Sequence, residues 1–182
     1  MADKKLTRDT IAAAALDLLN EQGLEQLSLR KLAARLDVKA PSLYWHVADK
    51  NALLALLADS VFAACVAQIP PSPDWRAWLR AFGVALWRAQ NDMRDAGRLI
   101  LTAAQDDSAL ARMEQAIVAP LTALGLSAAD AVPMQASVQA LVTGWTCFAQ
   151  GPNSEYLQAH MAVDTAFVRS LDALLDGYAA VR

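Results

Sequence analysis

Three features of the 182-residue chain predict an all-α fold: composition, hydrophobic periodicity and proline–glycine punctuation. The chain holds 39 Ala and 27 Leu against 23 Val, Ile and Thr together, a ratio that favours helices over any large sheet. Each strongly periodic segment repeats its apolar residues at steps of three and four. Hydrophobic residues make up 55% and charged ones 19%, which supplies a sizeable core and excludes wholesale disorder.

The elements follow in order. Thr7 is placed to cap a first helix with Asp9 in its opening turn and Ile11, Ala14, Ala15 and Leu18 on one face. Gly23 suits the left-handed residue that ends it. Ser28 caps a short second helix with Leu29, Leu32, Ala33 and Leu36 inward, and Asp37-Val38-Lys39 leaves room only for a tight turn. Pro41 then stands at the first position of a brief third helix, where proline is welcome. Asp49 caps a long helix from Lys50 to about Ile69, with Leu53, Leu57 and Val61 expected on the N-terminal unit and Cys65, Val66 and Ile69 reaching the rest. Pro70-Pro71-Ser72-Pro73-Asp74 marks a boundary, so residues 1–50 form one domain, 50–69 a connecting helix and 70–182 a second domain. Beyond it helices are predicted near 74–90, 93–103, 108–124, 127–149 and 162–180, with Gly125 and Gly151-Pro152 as stops.

Charge is distributed unevenly. Residues 1–50 carry eight Lys/Arg and seven Asp/Glu, whereas 51–182 carry eight and twelve, and all five lysines lie in the first segment. A basic N-terminal patch on an acidic chain points to an anionic partner for that end. Cys65 and Cys147 are too few for a disulfide framework and sit on apolar faces, as core residues. A reducing cytoplasm is the expected compartment, and no secretory leader is visible at the N-terminus. The 24 residues between Asp130 and Glu155 lack charge, yet Gln135, Gln139 and Gln150 would be exposed to lipid in a spanning helix. A buried helix and no membrane contact are expected.

Two short helices joined by a three-residue turn, the second basic and aromatic, form the pattern of a helix-turn-helix. Leu43 and Val47 are four apart and face Leu32 and Leu36, so Ser42, Tyr44, Trp45 and His46 point outward. An exposed Tyr-Trp-His run needs a cover, and the DNA major groove supplies phosphates, sugars and thymine methyls for those groups. Arg30 and Lys50 flank the surface.

At these residues the chain resembles a known family. The stretch LNEQGLEQLSLRKLAARLDVKAPSLYWHVADKNALL is similar to the DNA-binding head of the tetracycline-repressor (TetR) family over about residues 6–58, without gaps. The resemblance implies an N-terminal three-helix helix-turn-helix domain and a C-terminal helical ligand-binding and dimerisation domain. Arg30, Pro41, Ser42, Tyr44, Trp45, His46 and Lys50 match family positions that touch DNA. Lys39 and Ala40 occupy such positions with different side chains, so the operator is expected to differ from that of the tetracycline repressors.

The helix at 127–149 carries an apolar face (Met134, Val138, Leu141, Val142, Trp145, Phe148), an uncharged polar face and a small-residue stripe of Ala136, Ala140 and Gly144. A helix with contacts on every side needs partners on every side. Its own domain is one, and a second subunit is the other. The last helix shows Phe167, Leu171, Leu174, Leu175 and Tyr178 on one face, with Asp164, Arg169, Asp172 and Asp176 expected opposite. The family resemblance implies a four-helix dimer interface built from these two helices, with Ala136, Ala140, Gly144, Phe167, Leu171 and Leu174 in it.

The resemblance further implies a ligand cavity, for which Phe82, Leu86, Ile100, Thr102, Gln105, Met113, Gln139 and Thr143 are the candidate lining. Tetracycline repressors place a metal-coordinating His where this chain has Ile100, and nearby amide and His positions read Phe82 and Val66. A small, hydrophobic, metal-free effector is therefore expected, with no cofactor.

An enzyme is not expected: no Gly-rich phosphate loop, GxSxG or metal-spaced His/Asp set appears. Asp106-Asp107 reads as a solvated pair before a helix. The function these features imply is a homodimeric repressor that binds a palindromic operator on double-stranded DNA and is released by the effector. The alternative is a redox-sensing or activator-type DNA-binding regulator.

Overall fold

The computed structural model describes residues 6–104, 111, 112 and 114–181. Ten α-helices are found among them: α1 (Arg8–Gln22), α2 (Leu29–Leu36), α3 (Ala40–Tyr44), α4 (Lys50–Ala67), α5 (Trp75–Asp92), α6 (Ala96–Thr102), α7 (Ala119–Ala123), α8 (Ala128–Gln150), α9 (Ser154–His160) and α10 (Val163–Ala180). A 3-10 turn (Leu24–Gln26) follows α1, and a π-helical turn (Glu114–Val118) leads into α7. The fold is all-α, as composition predicts.

Short polar side chains set the helix starts. Thr7 and Thr10 form a reciprocal capping box on α1, with Thr10 N donating to Thr7 Oγ1 at 3.2 Å and Thr7 N to Thr10 Oγ1 at 2.9 Å. Ser28 caps α2 and Asp49 caps α4, where Ala52 N donates to Asp49 Oδ1 at 2.8 Å. Gly23 has φ 83° as expected of a helix stop, but its ψ of 166° is extended, so the chain runs straight into the 3-10 turn. Asp37 supplies the left-handed residue of the α2–α3 turn at φ 54°, a conformation that Asp tolerates.

Two cores divide the chain. The head core joins Ile11, Leu19, Leu32, Leu43, Val47, Leu53 and Leu57, and the body core joins Phe82, Leu86, Val138, Phe167, Leu171 and others. Helix α4 contributes to both. Val61, expected on the head, packs in the body core with Cys65, so the crossover falls between Leu57 and Val61.

Three expectations change. The stretch predicted as one helix over 93–103 starts only at Ala96, because Asp95 turns left-handed at φ 56°. Helix α9 lies between the stop at Gly151-Pro152 and the helix predicted over 162–180, where no helix was predicted. The acidic residues of α10 do not stand opposite its apolar face: Trp87 Nε1 donates to Asp164 Oδ1 at 2.9 Å, Arg80 Nε donates to Asp172 Oδ1 at 2.7 Å and Arg76 pairs with Asp176. Positions 164, 172 and 176 lie beside 167, 171 and 175 on the helix surface, so both rows face α5. Gln105, Asp106, Asp107 and Met113 lie outside the described residues.

Candidate nucleic-acid interface

The head presents its aromatic residues outward because two apolar anchors hold α3 inward. Leu43 and Val47 are buried against the head core, and the amides of His46 and Val47 both donate to Leu43 O at 3.0 Å, which extends the turn past Tyr44. That geometry leaves Trp45 89% and Tyr44 52% exposed, with Pro41, Ser42 and His46 also open. Ala40 is half-buried against the head core. No side chain caps α3, and Lys39 at its start is exposed.

Hydrogen bonding sorts the basic residues into two sets. Lys31 Nζ donates to Gln22 and Gln26, and Arg35 makes a two-pronged pair with Glu21 at 2.7 and 2.8 Å. The Glu21 hydrogen bond raises the Arg35 pKa further, so this charge is committed to joining α1 and α2. Arg30, Lys39 and Lys50 are exposed, and among the described residues none of their side chains has an ion-pair or hydrogen-bond partner. They remain available for phosphates.

The head is also stitched to the body at a seam that sequence patterning does not reveal. Leu24 N donates to Asp95 Oδ2 at 2.9 Å, Arg94 N to Asn20 Oδ1 at 3.0 Å, and Arg94 Nη1 to Glu21 O at 3.3 Å. Arg98 pairs with Glu25, and Leu99 of α6 is buried in the head core. Gly23 faces this seam so closely that an added Cβ would lie 3.0 Å from Asp95 Oδ2.

A family model described as bacterial regulatory proteins, tetR family, matches residues 11–57. The tetracycline repressor protein class A from transposon 1721 of Escherichia coli is 33% identical, over 98% of this chain and 93% of that protein. The chain belongs to the TetR family. An HTH-type transcriptional regulator of Saccharopolyspora erythraea is 41% identical over 76% of this chain, a match that spans 59% of that regulator's own length. The crystal structure of a TetR variant from Acinetobacter baumannii AYE in complex with minocycline aligns with a TM-score of 0.78 at 32% identity, covering 98% of this chain and 99% of that one. These matches establish a helix-turn-helix, DNA-binding transcription regulator of the TetR family.

The second domain holds the other sequence-predicted residues. Phe82 and Leu86 have no accessible surface: Phe82 stacks on Trp78 with centroids 5.7 Å apart, so neither side chain lines an open space here. Ile100 is buried in the same core, and Thr102 is exposed with its hydroxyl donating to Arg98 O at 2.8 Å, away from the others. Gln139 accepts from Gln135 Nε2 at 2.9 Å, and Thr143 accepts from Gln90 Nε2 at 3.2 Å. Gln139 and Thr143 share an open hollow of about 430 Å³ with Leu101, Ala136, Ala140, Gly144 and Cys147. Gln90, which periodicity alone reads as core-facing, is the polar residue that sequence reasoning missed. A glutamine on the buried face of an otherwise apolar α5 was the available signal.

Ala136, Ala140 and Gly144 are exposed on the outer face of α8, and nothing lies within 4 Å of a Cβ added at Gly144. Phe167 and Leu171 differ from that expectation. Both are fully buried in the chain's own core, with Phe167 stacked on Trp87 at 4.4 Å, so they cannot reach a second subunit. Leu174 is half-buried, and the outward row of α10 is Ala173 and Gly177.

Proposed function

We propose that this TetR-family chain is a ligand-responsive repressor that binds a palindromic operator as a cytoplasmic homodimer and is released by a small hydrophobic, metal-free effector. One observation carries the reading: Trp45 and Tyr44 are exposed beside buried Leu43 and Val47 on a short helix flanked by three uncommitted cations. Aromatic surface held outward this firmly suits a groove with sugars and thymine methyls, and Arg30, Lys39 and Lys50 suit the phosphates around it. Half of a two-fold site per subunit follows from dimerisation, with reading helices roughly 34 Å apart.

The outer rows of α8 (Ala136, Ala140, Gly144) and α10 (Ala173, Gly177) support the dimer, since small side chains let helices of two copies approach closely. A minocycline complex of the Acinetobacter relative supports a small-molecule effector in this chain. Ile100, which the resemblance sets at the position of a metal-coordinating His in the tetracycline repressors, is buried and apolar, and this supports an effector without a metal. Release would work through α4, which is shared by both cores, and through the seam at Asp95. An effector shifts the protein only if it binds the released state better than the DNA-bound one. Against a redox reading at Cys65, burial pushes its thiol up to about 11 and leaves little reactive thiolate.

Selection of bound duplexes from a random DNA pool tests the reading. Enrichment of an inverted repeat with half-sites one helical turn or a multiple apart supports it. Recovery of no preferred sequence, or of one unrepeated site, overturns it.

A further inference from the structure

The end of α1 and the 3-10 turn after it, Asn20 to Gln26, are held from two sides. The body holds Asn20 Oδ1 and Glu21 O through Arg94, Leu24 N through Asp95 and Glu25 through Arg98. Helix α2 holds the same stretch through its own cations. Arg35 Nη1 and Nη2 donate to the two Glu21 carboxylate oxygens at 2.7 and 2.8 Å, and Lys31 Nζ donates to Gln22 and Gln26 at 2.8 and 3.0 Å. Arg35 also lies 3.8 Å from Asp17. Glu21 is thus gripped twice, by α2 at its carboxylate and by the body at its carbonyl.

What holds α2 also sets α3. Helix α2 packs chiefly on α1 and α3, whereas α4 packs on α1, α5 and α6. The turn between α2 and α3 is closed by Asp37 N donating to Ala34 O at 3.3 Å and Val38 N donating to Ala33 O at 3.0 Å, and Leu32 and Leu43 share one core. The two helices therefore move together. Residues 31 and 35 share a face of α2, while residue 30 lies about 100° round the helix, so Arg30 stays open when its neighbours are bound. The Arg35 and Glu21 side chains are 35% and 51% exposed, and an exposed ion pair adds little stability. A two-pronged guanidinium–carboxylate pair does fix orientation. Its contribution here is the angle at which α2 leaves α1.

We propose that Glu21 and Arg35 are positioning residues for DNA reading, which pass the setting of the Asp95 seam to α2, and so to α3, by a path separate from α4. The assignment rests on the reading of an operator by α3. In it neither side chain contacts DNA. Glu21 makes the idea testable, because a carboxylate repels phosphates. If its charge alone mattered, removing it would tighten binding to every sequence equally. If it positions α2, removing it lowers discrimination between sequences.

The readout is the ratio of affinity for the selected operator to affinity for random duplex DNA, measured on the full chain, with thermal melting as a check on folding. Glu21→Ala should bind random DNA at least as tightly as wild type, yet lose about fivefold or more of the ratio. Arg35→Ala should lose as much of the ratio, and Arg35→Lys, the milder variant, less. Removing both partners should cost no more than the larger single loss, since one contact is being removed. Asp95→Gly deletes the seam carboxylate while suiting the left-handed backbone, and it should also lower the ratio. Adding Arg35→Ala to it should cost little more. An unchanged ratio in Glu21→Ala and Arg35→Ala overturns the assignment. So do equal gains for both DNAs in Glu21→Ala, or losses from Asp95→Gly and Arg35→Ala that simply multiply. A wild type with no preferred sequence refutes the operator reading itself, and this path with it.

Discussion

Gly23→Ala should damage the seam between head and body more than any conserved-volume change on the surface. The backbone at Gly23, φ 83° and ψ 166°, belongs to a region that is essentially restricted to glycine, and a side chain there costs about 1–3 kcal/mol. The new Cβ would also sit 3.0 Å from Asp95 Oδ2 and 3.1 Å from Arg94 Nε. Moving Asp95 aside breaks its 2.9 Å bond from Leu24 N, worth about 0.5–1.5 kcal/mol. Together the loss is about 2–4 kcal/mol, which for a chain of this size lowers Tm by on the order of 10 °C. Urea titration gives the free energy, and hydrogen exchange at Leu24 shows whether the seam has opened. If the variant unfolds within 0.5 kcal/mol of wild type and the Leu24 amide remains protected, the seam does not join head to body as described.

Other predictions concern the body. Gly83→Ala gains about 1 kcal/mol of helix propensity but places a Cβ 2.8 Å from Leu171 Cδ2 and 3.0 Å from Val138 Cγ1, and overpacking costs about 1–3 kcal/mol; net destabilisation by thermal melting is expected. Gly144→Leu meets open space within one chain, so the fold should survive while sedimentation shows a monomer. Cys147, expected in the core, is exposed in the single chain beside the Ala140–Gly144 row, so a thiol reagent at pH 8 should label it in the monomeric Gly144→Leu variant and leave Cys65 untouched until the chain unfolds. Because folding raises the Cys65 pKa from 9.0 to about 11, the folded chain keeps a proton that the unfolded chain releases. Stability from this group is complete below pH 9 and is lost as pH rises toward 11.

The head was legible in the sequence because its signals are local. Thr7, Ser28 and Asp49 cap helices in place, Pro41 opens α3, and the four-residue step from Leu43 to Val47 determines which side Tyr44 and Trp45 take. The body was less legible because its decisive contacts join residues far apart in sequence. Asp164 and Asp172 look like a solvated row until Trp87 and Arg80, 77 and 92 residues away, are seen to meet them. Phe167 and Leu171 carry the apolar signature of any interface, and periodicity cannot say whether their partner belongs to the same chain. The left-handed turn at Asp95 was hidden for a similar reason: only its bond to Leu24 explains why a helix waits until Ala96.

The orientation of α3 is the central claim, and the salt dependence of operator binding tests it directly. Affinity for the selected operator would be measured against salt for wild type, Tyr44→Ala and Lys50→Ala. Lys50→Ala should weaken binding to all sequences alike and reduce the slope of log affinity against log salt by about one, the signature of a lost phosphate contact. Tyr44→Ala should leave the slope nearly unchanged and sharply lower preference for the operator over random DNA. Two variants that match wild type in affinity, slope and preference would show that this face of α3 does not meet DNA.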